Sequence, residues 1–177
     1  MKFGRRISLP AGILLAPVLV AGVAAVWLAW MGDAVAHGGA TGVVKQRMDA
    51  MGEIKAAMKA LKATLPDAAE SADARQKAVL AAELIRDRAG THMTDLFPEG
   101  SLKKPSEATP AVWQDWTAFQ AYAGELRAVA GALAIAVGGD GSQAAGGPAD
   151  LRGLSPMELL GRTAETCKSC HKDFRER

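Results

Sequence analysis

Four separate stretches of this chain repeat apolar residues at alternating steps of three and four. That period belongs to a helix with one buried stripe, whereas a strand would need steps of two. The first stretch runs Val44, Met51, Ile54, Met58, Leu61 and Leu65 and is stopped by Pro66, which predicts a helix over about residues 42–64. The second, Ala-rich, covers about 71–88, sets Ala78, Ala81, Leu84 and Ile85 on one side, and ends near Gly90. A third opens at Thr109-Pro110, read as an N-cap followed by proline at the first helical position. It continues through Val112, Trp116, Phe119, Ala123, Leu126, Ala130, Leu133 and Val137. The fourth opens with the capping box Ser155-Pro156-Met157-Glu158 and carries Leu160, Thr163, Cys167, Cys170 and Phe174 at the same spacing, so both cysteines fall on its inward face. Residues 91–108 and the Gly-rich stretch 138–147 connect these runs; the latter, without apolar period, reads as a flexible surface loop. With no strand signal and no internal repeat, the expected architecture is all-α, an antiparallel four-helix bundle.

The first 36 residues stand apart. Lys2, Arg5 and Arg6 form a basic start, Leu9 to Met31 is almost wholly apolar, and Ala34-Val35-Ala36 follows Asp33. This is the pattern of an export signal, with cleavage expected between Ala36 and His37. The apolar stretch also exceeds the about 20 residues that cross a bilayer, so an uncleaved inner-membrane anchor through residues 9–31 is the rival reading. Either way residues 37–177, one ordinary domain in size, face a compartment outside the cytoplasm, the periplasm. Three of the 21 Lys and Arg residues and one of the 19 Asp and Glu residues lie in the leader, so the remainder is charge-balanced and gives no footprint for nucleic acid.

Two cysteines in an exported chain would ordinarily form a disulfide. Here they stand in Cys167-Lys168-Ser169-Cys170-His171, which is C-x-x-C-H, the pattern of c-type haem attachment. On a helix, two thiols three residues apart lie nearly one above the other and can form thioethers to the two vinyl groups of one porphyrin. His171, four residues past Cys167, aims its imidazole at the same macrocycle as an iron ligand. The competing explanations are weaker. A structural zinc needs two more ligands, and the other histidines, His37 and His92, lie near the mature N-terminus and in a loop. A thioredoxin-like pair starts a helix after a strand, whereas this one ends the last helix. A disulfide or two buried thiols would leave the adjacent histidine incidental.

The other face of such a haem needs cover. Met51 on the first helix offers a thioether, although Met48 and Met58 share that helix and a core methionine more often packs than ligates. Arg47, one turn earlier, is placed either to pair with a haem propionate or to remain a solvated helix-end charge. Trp113, Trp116 and Phe119 read as bundle core, and His92 as an exposed loop residue.

A C-x-x-C-H motif in the last turns of a C-terminal helix, within four helices, resembles the cytochrome c' (class II cytochrome c) family. The resemblance covers Gly42 to Arg177 and is most specific at Cys-Lys-Ser-Cys-His-Lys-Asp-Phe-Arg, residues 167–175. It implies one covalent haem c. It also matches Arg47-Met48-Asp49-Ala50-Met51 to the family's arginine and the residue four later that covers the distal haem face, and it matches Arg175 to the basic residue four after the haem histidine. Methionine at position 51 is similar to the low-spin branch of the family, which implies axial ligation by His171 and Met51 and a periplasmic one-haem electron carrier. The alternative is a five-coordinate protein that binds or sequesters NO or CO. No acid–base pair is placed beside the distal face, so the chain reads as a non-enzyme. Its expected partners are redox proteins met through small transient surfaces. The resemblance also implies a homodimer through the first two helices, which the Ala-rich second helix permits.

Overall fold

The computed structural model describes residues 39–139 and 149–176. The expected leader, residues 1–36, and most of the Gly-rich stretch lie outside the described residues. Four long helices form the fold: α1 (Gly42–Thr64), α2 (Ala72–Arg88), α5 (Trp116–Val137) and α6 (Pro156–Phe174). The short helices α3 (Thr91–Thr94) and α4 (Ala111–Gln114) stand between α2 and α5. The four-helix bundle expected from the apolar period is what the chain forms. Among the described residues there is no strand, only an isolated antiparallel bridge between Ala108 and Arg175.

Each long helix is delimited by local chemistry. A 3-10 turn, Leu65–Asp67, follows α1 and takes in Pro66, which cannot continue the helical hydrogen-bond ladder. The Ser71 hydroxyl accepts from the Ala74 N–H at 3.2 Å and starts α2. Gly90, at φ +64°, ends the turn after α2; a Cβ there would sit 2.8 Å from Arg127 Cδ, and its N–H donates to the Ala123 carbonyl at 2.9 Å. Gly138, at φ +117°, caps α5 in the left-handed conformation. The predicted capping box of α6 is formed in full: the Ser155 N–H donates to the Glu158 carboxylate at 2.7 Å while the Glu158 N–H donates to the Ser155 hydroxyl.

The third helix departs from expectation. It is divided at Asp115, whose backbone sits at φ −130° and ψ 63° and whose carboxylate accepts from the Ala118 N–H at 3.1 Å. An Asp side chain competes with the backbone for helix N–H groups, and here it ends one helix and caps the next. Thr109 does not cap. Its N–H donates to the Phe174 carbonyl at 2.9 Å and its hydroxyl faces the same oxygen at 3.3 Å, so Pro110 becomes the cap position of α4.

The core runs the length of the bundle through Leu61, Ile85, Val129, Leu133 and Leu159, all essentially inaccessible to solvent. Each such aliphatic side chain contributes about 2 kcal/mol by leaving water. The buried residues of α2 include Ala74, Ala78, Ala81 and Ala82, and those of α5, against which it packs, include Ala123, Ala130, Gly131 and Ala134, small residues that allow a close approach. Around the bundle α1 packs on α2, α2 on α5, and α5 on α6. The backbones of α1 and α6, which would close the ring, scarcely approach each other.

Candidate functional site

Helix α6 turns one stripe inward: Leu159, Leu160, Thr163, Thr166, Cys167, Cys170 and Phe174. The two threonines are buried without cost in unpaired hydroxyls, because Thr163 donates to the Leu159 carbonyl at 2.8 Å and Thr166 to the Arg162 carbonyl at 3.0 Å. Cys167 and Cys170 follow on this stripe as half-buried free thiols packed against the apolar core. Burial pushes the Cys167 thiol up. It does the same to Cys170, with Cys167 and Asp173 adding to it, up to about 12. Both sulfurs are therefore neutral at physiological pH. His171, one position past this stripe, is exposed as a residue, yet partial desolvation lowers its imidazole pKa. The Arg175 cation lowers it further and Glu107 opposes the change.

The end of α6 is fastened from outside the helix. Phe174 is buried and meets Phe119 edge-on at 5.4 Å between ring centroids. Phe119 in turn meets Phe97 at 4.7 Å, and the Trp113 indole N–H donates to the Phe97 carbonyl at 2.9 Å. Trp113 and Trp116 are half-buried at the rim of this cluster, as their reading as core anticipated. Tyr122 donates its hydroxyl to Asp173 at 2.9 Å, which raises the phenol pKa. The Arg175 guanidinium holds Glu107.

Across from α6, the buried stripe of α1 includes Val44, Arg47, Ala50, Ile54, Ala57 and Leu61. Met51 and Met58 are half-buried at its edge and pack against the core, whereas Met48 is half-buried outside that cluster. Arg47 is 3% exposed. Its Nε and Nη2 donate to the Leu96 carbonyl at 3.1 and 2.8 Å, Nη2 also to the Ser101 hydroxyl at 2.8 Å, and Nη1 to the Ser106 hydroxyl at 2.9 Å. The guanidinium also lies 3.9 Å from the centre of the Phe97 ring. Of five N–H donors, four are thus directed at the 96–106 segment, and one on Nη1 is left over. Burial lowers its pKa, and among the described residues neutral acceptors and the Phe97 ring are what compensate this cation.

These residues fit a covalently held macrocycle. Two neutral thiols stand on one helical face toward the bundle, a histidine follows in the same turn, and α1, with Met51 at the edge of its stripe, is not packed backbone to backbone against α6. His92, on α3, is exposed as expected. Sequence reasoning missed Glu107, Ser101, Ser106 and Leu96, which sit in a segment without period. The one available signal was Arg47 itself: steps of three from Val44 and to Ala50 put a guanidinium on an apolar stripe, where it must find acceptors.

No curated protein matches this chain. Among solved structures it is similar to the cytochrome c' of Thermochromatium tepidum (TM-score 0.57, 22% identity, covering 76% of this chain and 95% of that one). It is also similar to that of Rubrivivax gelatinosus (TM-score 0.56, 24% identity, covering 76% and 94%). A third is a cytochrome c' described for an unusual ligand-controlled dimer dissociation (TM-score 0.58, 22% identity, covering 76% and 95%). At such identities these neighbours speak for the fold. The family model for cytochrome c' matches residues 42–175, which takes in all four long helices, the Arg47–Met51 turn and the C-x-x-C-H motif. The chain therefore belongs to the cytochrome c' family, whose members bind one covalently attached haem c.

Proposed function

We propose that this protein is a periplasmic haem protein that binds a small gas such as NO or CO on an iron face left open by the protein. In this reading Cys167 and Cys170 hold the porphyrin through thioethers and His171 is the protein's iron ligand. When bound, the haem supplies a redox-active iron with one exchangeable coordination position. The observation that carries the reading is the separation of α1 from α6, with Met51 already packed on the core at the edge of the α1 stripe. Apart from Arg47, whose guanidinium is turned to the 96–106 segment, the wall that α1 offers is then apolar. Cytochromes c' are typically high-spin and five-coordinate, which favours this reading over the low-spin, methionine-ligated carrier expected from Met51. Arg47 contributes by fixing the 96–106 segment against α1, and its remaining Nη1 donor is available to a propionate. Arg175 acts beside His171.

The test is the absorption spectrum of the reduced holoprotein before and after carbon monoxide, for wild type and Met51→Leu. A broad high-spin spectrum that shifts at once in both proteins is expected. A sharp low-spin wild-type spectrum that carbon monoxide barely alters, lost in Met51→Leu, would overturn it. Chains without covalent haem would overturn the attachment as well.

A second reading, a one-haem electron carrier with Met51 as second axial ligand, rests on Met51 lying one turn after Arg47 and half-buried. Its redox partners would be met through small surfaces. Members of the family are periplasmic and generally non-enzymatic, and we read no catalysis here. Among the described residues no helix is long and apolar enough to cross a membrane. The leader, cleaved before His37 or kept as an anchor through residues 9–31, belongs to this proposal, and N-terminal sequencing of the exported protein decides between the two. We also propose a homodimer, in keeping with the ligand-controlled dimer of one solved relative and with the exposed Leu80 on α2. Light scattering with and without carbon monoxide tests it.

A further inference from the structure

Glu107 lies in a segment that the sequence reads as a plain connection, yet its place is fixed on both sides. On one side Ser106, 6% exposed, is held by Arg47. On the other, Ala108 bridges Arg175, the Thr109 N–H donates to the Phe174 carbonyl at 2.9 Å, and the Glu176 N–H donates to the Glu107 carbonyl at 2.7 Å. Between these anchors the Glu107 carboxylate takes both Nε, at 2.6 Å, and Nη2 of Arg175 on its Oε2 atom. An exposed ion pair is ordinarily worth little because two long side chains must be ordered to make it. Here the backbone pairing has already brought the two side chains together. Arg175 stands one helical turn beyond His171, with its N–H on the His171 carbonyl at 3.2 Å, so where its guanidinium points decides how much positive charge the imidazole meets.

We infer that Glu107 is a positioning residue for the haem site: it draws the Arg175 guanidinium away from His171 toward the 106–109 segment and neutralises it there. The inference rests on His171 as the iron ligand. With Glu107 in place, the ligand side of the iron faces a compensated pair. Without it, a bare and mobile cation stands beside the ligand, which disfavours ferric iron and raises the reduction potential. The effect travels through Arg175, so it requires that residue.

The test is the reduction potential of the haem-loaded protein, titrated spectroscopically at low ionic strength, for wild type, Glu107→Gln, Glu107→Asp, Arg175→Gln and the double variant Glu107→Gln/Arg175→Gln. Circular dichroism checks the fold of each. Glu107→Gln is expected to raise the potential, and Glu107→Asp, which keeps the charge but shortens the reach, to raise it less. In the Arg175→Gln background the Glu107→Gln shift is expected to be largely lost. An unmoved potential in a folded, haem-bearing Glu107→Gln protein would overturn the inference. So would an equal shift with and without Arg175, since Glu107 would then act on the haem by its own charge. Wild-type protein without covalent haem would instead overturn the haem reading together with this inference.

Discussion

Arg47 grips the carbonyl oxygen of Leu96 with two N–H donors, Nε at 3.1 Å and Nη2 at 2.8 Å, across 49 residues of sequence. A buried guanidinium that spends itself on neutral acceptors acts as a staple between α1 and the 96–106 segment. Removing it takes away the donors that the half-buried Leu96 carbonyl and the Ser101 and Ser106 hydroxyls accept from it. Arg47→Ala is therefore expected to destabilise the protein by about 3 kcal/mol in urea denaturation, and Arg47→Lys by less, since one ammonium reaches part of the set. A loss under about 1 kcal/mol for Arg47→Ala would show that the segment is held by other contacts.

Phe174 anchors the end of the cysteine-bearing helix, buried against Phe119 and with its carbonyl taken by Thr109. Phe174→Ala opens a cavity at that end and is expected to cost about 4 kcal/mol in thermal or chemical unfolding. Phe174→Leu, which fills much of the space, is expected to cost less than half as much. Equal losses from the two substitutions would mean that the aromatic edge contact, not the filled volume, holds the helix end.

The start of α6 is sensitive to acid. Hydrogen bonds from Ser155 hold the Glu158 carboxyl below its ordinary range, so the folded state favours the ionised form. That contribution is present above the ordinary carboxylate pKa and is lost as pH falls through the lowered value. Ser155→Ala is expected to cost about 1 kcal/mol at pH 7 and to flatten the decline in stability at acid pH. Parallel pH profiles for wild type and Ser155→Ala would count against this coupling.

Thioether formation should show in alkaline stability. In the haem-free chain both thiols have raised pKa values, Cys170 to about 12. The stability they contribute is whole below the unfolded thiol pKa and falls as pH rises from there toward the folded value. Haem-free protein is thus expected to lose stability as pH rises from 9.0 toward about 12, whereas Cys170→Ala in the same haem-free state loses less. Haem-loaded protein, with no thiol to titrate, is expected to show none of this loss. Identical slopes for the haem-free and haem-loaded forms would contradict the buried-thiol account.

Much of the architecture was legible because helices in a bundle write their contacts locally: Leu61, Ile85, Leu133 and Leu160 stand at the predicted period and are buried. That Cys167, Cys170 and His171 stand close together on one helix was legible for the same reason, since the motif spans little more than a turn. The break at Asp115 was not, since an Asp inside an apolar period looks like any exposed helical position until its carboxylate caps the next turn. Nor were the partners of Arg47 and Arg175. Leu96, Ser101, Ser106 and Glu107 are drawn to their places by a neighbouring helix, and no spacing within the segment encodes that.

The join between Thr109 and Phe174 spans 65 residues, unlike the contacts within each helix and between helices adjacent in sequence. Such a long closure loses chain entropy that local contacts do not, so it is rewarded only once α5 and α6, which lie between its ends, are packed together. The Thr109 and Glu176 amides are therefore sentinels of the α5–α6 pairing, and their exchange with deuterium should report its opening where amides at the start of α6 report fraying.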